Sequence, residues 1–190
     1  MSKTKFSMML IIIAVAALFI SGCLTTESKE YRFKINADGS GEGTIKHVNI
    51  VSEEDEGMDV SFKDFNDLIN DYLEGTTFEE NNEHFRLTDK KLFEENGQLM
   101  GQISFTFESM DSIGFYHDPG CECNPYMYYI GSLSESFVES NGKYLGKDRD
   151  FPIIAWSDNS GELFFKTQVK QDMSDAHELL PLYNTWLESK

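Results

Sequence analysis

Hydrophobic and polar residues alternate one by one along several short stretches of this chain. Tyr31, Phe33 and Ile35 are interleaved with Arg32, Lys34 and Asn36. Leu99, Ile103, Phe105 and Phe107 stand against Gln102, Ser104, Thr106 and Glu108, and the same period runs through Leu163, Phe165 and Val169. A period of two sends successive side chains to opposite faces, so each stretch predicts a strand with one buried and one wet face. Turn chemistry joins these strands. Asp38-Gly39-Ser40-Gly41 separates a strand near 29–37 from one near 43–50, and Asn96-Gly97 separates one near 84–94 from that at 99–108. Asp158-Asn159-Ser160-Gly161 does the same between 152–157 and 162–170. Asn-Gly readily takes the positive φ angles of a type I′ turn, so antiparallel hairpins are the expected sheet.

Two segments change period. Phe62, Phe65, Leu68, Ile69, Tyr72 and Leu73 fall at helical spacing, with Ser61 as the expected N-cap, Asp64 in the capping-box position and Gly75 as the stop. Near the C-terminus Leu179, Leu182, Tyr183, Trp186 and Leu187 form a second stripe. Ser174 is its expected cap, and Pro181 either kinks that helix or marks its first turn. Hairpins plus two helices predict an α+β domain: an antiparallel sheet with both helices on one face, similar at the level of topology to the ferredoxin-like split arrangement.

The first residues follow a different logic. Lys3 and Lys5 precede an uncharged apolar run from Met8 to Ile20, which is shorter than the roughly 20 residues needed to span a bilayer. The run ends in Ile20-Ser21-Gly22-Cys23, two small residues followed by a thiol. This resembles the signal of bacterial lipoproteins, with Ile20 where that pattern most often has Leu. The resemblance implies that residues 1–22 are removed and that Cys23 carries a diacylglyceryl thioether, often with a further acyl chain on its amine. It also implies an extracytoplasmic protein held on the bacterial membrane, because two or more chains anchor stably where one does not. Residues 23–28 are then expected as the lipidated Cys and a short tether, and 29–190 as one globular domain. Cys23 is followed by Leu24, so the Asp that retains some Gram-negative lipoproteins at the inner membrane does not occupy that position.

Charge narrows the partners. The chain of 190 residues has 16 Lys and Arg against 33 Asp and Glu; without Lys3 and Lys5 the balance is −19. Such a surface repels nucleic acid and anionic headgroups. Acids cluster in Glu53-Glu54-Asp55-Glu56 and Glu79-Glu80-Asn81-Asn82-Glu83, as solvated loops or as sites for cations or a basic partner. Fifteen Phe, eight Tyr and two Trp are too many for a disordered stalk and indicate a packed core.

Candidate chemistry concentrates in the stretch from Ser109 to Lys147, which carries no clear periodicity. His117-Asp118-Pro119-Gly120-Cys121-Glu122-Cys123 places an imidazole, a carboxylate and two thiols within seven residues. His117, Cys121 and Cys123 form a partial ligand set for zinc or copper(I), although one residue between the cysteines is tighter than the usual zinc spacing. A fourth ligand would come from elsewhere, with His47, His84 and His177 as the candidates. The competing readings are a strained disulfide between Cys121 and Cys123, suited to an oxidising compartment, and free thiols. Tyr126-Met127-Tyr128-Tyr129-Ile130 puts aromatics on both faces of a strand, as core or as a recognition surface.

Two motif fragments fail in context. Ser140-Asn141-Gly142-Lys143 and Ser157-Asp158-Asn159 mimic penicillin-binding enzymes, but Asn-Gly makes a turn where that serine must begin a helix, and Lys166-Thr167-Gln168 lacks the required Gly. Asn36, Asp38, Ser40 and Gly41 resemble the start of a calcium loop, yet His47 stands where the loop needs Glu. No catalytic motif emerges and no cofactor is expected. The sequence therefore predicts a non-enzymatic interaction or accessory module of the cell envelope, bound to the membrane through Cys23 and available to an envelope protein partner. The rivals are a metal-binding or redox-responsive lipoprotein built on His117, Cys121 and Cys123, and an envelope hydrolase without a recognisable motif.

Overall fold

The computed structural model describes residues 23–117, 120, 125–133, 135–146 and 152–190. Two antiparallel sheets carry the fold. The larger has seven strands: β1 (Leu24–Ile35), β2 (Gly41–Glu53), β3 (Arg86–Glu95), β4 (Gln98–Phe107), β7 (Ser136–Ser140), β10 (Leu163–Gln168) and β11 (Ala176–Glu178). Their order is β3-β4-β2-β1-β10-β7, with β11 paired to the end of β2. The smaller sheet comprises β5 (Phe115–His117), β6 (Tyr126–Tyr129), β8 (Lys143–Tyr144) and β9 (Ile153–Trp156), in the order β5-β6-β9-β8. The helices are α1 (Ser61–Asp67), which continues as a turn of π-helix (Leu68–Leu73), α2 (Thr77–Asn81) and α3 (Leu180–Glu188). The class is α+β, and the strand order shows no ferredoxin-like arrangement.

Two of the three predicted hairpins are present, β1–β2 and β3–β4, with Asn96 and Gly97 both at positive φ in the second turn. The third is corrected, because the turn at Asp158–Gly161 leads from β9 of the smaller sheet to β10 of the larger one and the two strands do not pair. The turn from Asn36 to Ser40, where the calcium-loop fragment lies, is tied by Asn36 N–H to Ser40 C=O at 2.8 Å. Other expectations are corrected. The stretch from Ser109 to Lys147 supplies the expected strand at Tyr126–Tyr129, β6, and three that were not expected, β5 and β8 of the second sheet and β7 of the first; strands of two to five residues are too short for alternation to register reliably. Residues 24–28, expected as a tether, form the first half of β1. Ser61 does not cap α1: Val60 holds the N-cap position, and the Ser61 N–H donates to Asp59 Oδ1 at 2.9 Å. Asp64 is turned inward and accepts a hydrogen bond from Ser52 Oγ at 2.7 Å, tying α1 to β2. Ser174 caps nothing helical. The helix begins at Leu180 with Pro181 in its first turn, where a missing N–H costs least. Phe62 lies outside the buried stripe and is 77% exposed, because periodicity tells which way a side chain points but not whether anything lies beneath it.

One face of the large sheet is wet and laced with ion pairs, including Arg32 with Glu162 at 3.0 Å and Lys34 with Glu42 at 3.2 Å. The other face holds two separate cores. Tyr31, Phe33, Ile45, Phe105, Phe107, Leu163 and Phe165 meet the second sheet through Phe115, Tyr128, Ile154 and Trp156. Leu24, Ile50 and Leu99 meet the helices through Phe65, Leu68, Ile69, Leu179 and Tyr183. Leu99, Phe105 and Phe107 are all odd positions of β4, so the two cores share one face of that strand. On β1 and β2 the alternation slips midway. Asn49 takes a positive φ of 56° opposite Glu27, and its side-chain amide donates to the Glu27 carboxylate at 3.0 Å. The inward sequence then reads 45, 47, 50 on β2, with a step of three in place of two.

Phe165 is fully buried and stacks on Tyr31 at 4.5 Å while contacting Tyr128 at 5.1 Å, so it joins the two sheets. Phe165→Ala is expected to lower the unfolding free energy by about 3–5 kcal/mol in urea titrations. Phe62→Ala, made on the exposed end of α1, should change it by less than about 0.5 kcal/mol; equal losses in the two variants would contradict this packing.

Candidate functional site

A row of residues crosses five neighbouring strands between the two cores. Thr167 of β10 is paired with Lys29 of β1, Lys29 with His47 of β2, His47 with Gly101 of β4, and Gly101 with Leu92 of β3. Three members of this row are polar and buried, and each comes from a different strand. Glu135, in the segment leading into β7, closes over one end. Its carboxylate accepts from Lys29 Nζ at 2.8 Å, from the Tyr31 hydroxyl at 3.0 Å, and from Thr167 Oγ1. Only 4% of the Glu135 side chain and 8% of that of Lys29 reach solvent. Burial, reinforced by the Glu135 charge, pushes the Tyr31 and Tyr128 hydroxyls well above the ordinary tyrosine range, so both remain protonated donors.

The other end of the row is unfilled. Gly101 contributes no side chain, and an open cavity of about 100 Å³ lies there, lined by the row and by the residues above it from the π-helical turn and α2. Its walls include Ile50, Leu68, Leu73, Phe78 and Leu92. His47 lines the cavity, and its ring makes no hydrogen bond to any described residue. Burial, with the positive charge of Lys29 beside it, pulls its pKa down from 6.5 to about 3, so the imidazole is neutral at physiological pH. The adjoining Lys90 is fully engaged, donating to the Gly75 carbonyl and to the Glu79 carboxylate at 3.2 Å.

The residues singled out by sequence lie elsewhere. Cys23 is a free, half-buried thiol immediately before β1, and its carbonyl accepts from the Glu53 N–H at 2.7 Å. Burial and the carboxylates of Asp55, Asp64 and Glu53 raise its pKa, against the opposing effect of Lys63. His117 ends β5; its ring stacks on Tyr126 at 4.6 Å and its buried Nε2 has no hydrogen-bond partner among the described residues. Cys121 and Cys123 lie outside the described residues, as does Asp118. Among the described residues no three His, Cys, Asp or Glu side chains are grouped so as to hold a metal ion, and His47, His84 and His177 do not join His117 in such a set. Tyr128 is core, whereas Tyr129 is 45% exposed.

Lys29, His47, Gly101, Glu135 and Thr167 were not legible as a site, because each belongs to a different strand or loop and none sits in a motif. The one available signal was a Lys and a His at inward positions of otherwise apolar strands. Compared with protein-family models, curated proteins and solved structures, the chain matches none.

Glu135→Leu leaves the Lys29 ammonium buried without its counter-charge and is expected to cost about 3–5 kcal/mol in urea unfolding. Lys29→Met combined with Glu135→Leu should be less damaging than Glu135→Leu alone; an additive loss would mean that the two charges are not coupled. His47 gives a pH signature. Its folded pKa of about 3 lies below the unfolded value of 6.5, so as pH falls through that window only the unfolded chain takes up the proton. Stability is therefore lost on acidification by about 1.4 kcal/mol per pH unit from this group. In His47→Leu that part of the slope between pH 6.5 and 4.5 should disappear, and identical slopes in the two proteins would refute the assignment.

Proposed function

We propose that this chain is a lipid-anchored extracytoplasmic protein of the bacterial envelope, acting as a non-enzymatic interaction or accessory module. The observation that carries the reading is Ile20-Ser21-Gly22-Cys23 at the end of a charged-then-apolar leader. The folded body begins immediately after it, with Leu24 already in β1. No helix among the described residues is long and apolar enough to cross a membrane, so attachment in this reading relies on the acyl chains. Two or more of these, at about 0.8 kcal/mol per buried methylene, hold a protein on a bilayer. Met58, which is hydrogen-bonded to Asp55, and Phe62, next to Lys63, are large apolar side chains left exposed in the neighbourhood of Cys23. They are the surface that a bilayer would cover. The strongly negative charge favours a protein partner with a basic surface over nucleic acid.

The test is substitution of the acceptor. Cys23→Ala should move the protein from the membrane to the soluble fraction of lysed cells and abolish incorporation of a clickable fatty-acid probe. Phe62→Ser should retain the probe while weakening attachment of the protein to washed membranes. Undiminished membrane retention of Cys23→Ala without the probe would overturn the lipid anchor.

A further inference from the structure

The unfilled end of the polar row is built as a receptor for a specific kind of molecule. Its walls are apolar, its floor is opened by Gly101, and its charged lining residues are Lys29, Lys90 and Lys91. In a chain with 33 acidic and 16 basic residues, a cavity lined by three lysines and no carboxylate is against the trend of the surface. The groups free to bind are equally particular. Lys29 gives one hydrogen bond to Glu135, and the His47 ring gives none to any described residue although the residue is only 6% exposed. The His47 ring nitrogens are not sealed among the buried unpaired polar atoms, so they remain accessible from the cavity that the residue lines and can meet a ligand oxygen there.

We propose that this cavity binds a small monocarboxylate with a short branched apolar body, its carboxylate facing Lys29 and His47 and its hydrocarbon resting among Ile50, Leu68, Leu73, Phe78 and Leu92. The ammonium of Lys29 and the imidazole N–H supply charge-assisted donors for the two oxygens. Size follows from the volume: a cavity of about 150 Å³ takes up benzene, so about 100 Å³ suits an apolar body of roughly four carbons. The carboxylate is favoured over a neutral amide because Lys29, which spends one N–H on Glu135, retains further ammonium donors and because no carboxylate lines the cavity. An ammonium ligand would find no counter-charge among the lining residues.

The inference stands apart from the anchoring reading, since membrane retention and carboxylate binding fail separately. The probe is 3-methylbutanoate, titrated by ligand-observed NMR against the intact chain in zwitterionic nanodiscs, with empty nanodiscs as the blank. Saturable binding with Kd on the order of 1 mM is expected. 3-Methylbutanamide should bind at least tenfold more weakly, and 3-methylbutylamine not at all. His47→Leu removes the imidazole donor and should weaken binding at least tenfold while leaving the protein folded. Gly101→Ala places a methyl group in the cavity, 2.9 Å from Ile50 Cδ1, and should weaken binding without touching either polar group. No saturation by about 10 mM, equal affinity for the amide, or unaltered binding in both folded variants would each overturn the proposal.

Discussion

A carboxylate removed from water must be repaid by donors held in place, and Glu135 is met by three of them from two strands. Lys29 and Tyr31 of β1 and Thr167 of β10 converge on its two oxygens. This fixes the segment entering β7 over the centre of the large sheet, and it falls where the pairing of β7 with β10 shifts register between Lys166 and Thr167. Two apolar cores on the same face would otherwise merge or slide past each other. A charged contact buried between them admits one arrangement, since any displacement strands an ammonium or a carboxylate in a low-dielectric interior.

The second constraint is the half-turn of phase in the first hairpin. Glu27 and Asn49 face each other at the point where both strands lose strict alternation, and Asn49 can hold its left-handed conformation because Asn tolerates it better than most residues. Without the slip, Leu24 and Ile50 would face away from Tyr31 and Ile45, and the helices would have no apolar floor. The slip therefore lets one continuous hairpin serve two cores, with Lys29 and His47 between them. The cavity is a by-product of the same geometry: at Gly101 there is no side chain to fill the space that the two packing arrangements leave.

Much of the sheet was legible because it is written locally. Hairpins betray themselves through Asn96-Gly97 and Asp38-Gly39, and half-buried strands through the alternation of Tyr31 to Ile35 and Leu99 to Phe107. In the second sheet the strands at Tyr126–Tyr129 and Ile153–Trp156 were legible, whereas Phe115–His117 and Lys143–Tyr144 were not, since two or three residues hold less than two full periods. Helix ends misled because capping chemistry is permissive: Ser61 and Ser174 fit the pattern, yet each donates its own N–H to an Asp two residues before it, and no helix begins at Ser174. The buried polar row was invisible for a deeper reason. Residues 29, 47, 101, 135 and 167 are linked only by strand register, which is a property of the folded chain and leaves no trace in local spacing.

The start of β1 at Leu24 bears on how a lipid-held form would behave. A free tether of six residues would let the body range over roughly 20 Å above the headgroups. Here the chain is already hydrogen-bonded at Cys23, so that reach is absent and the body would be held close against the headgroups. Encounters with partners would then be a search in two dimensions at nearly constant height. Any partner able to meet it would have to present its own surface within that thin layer.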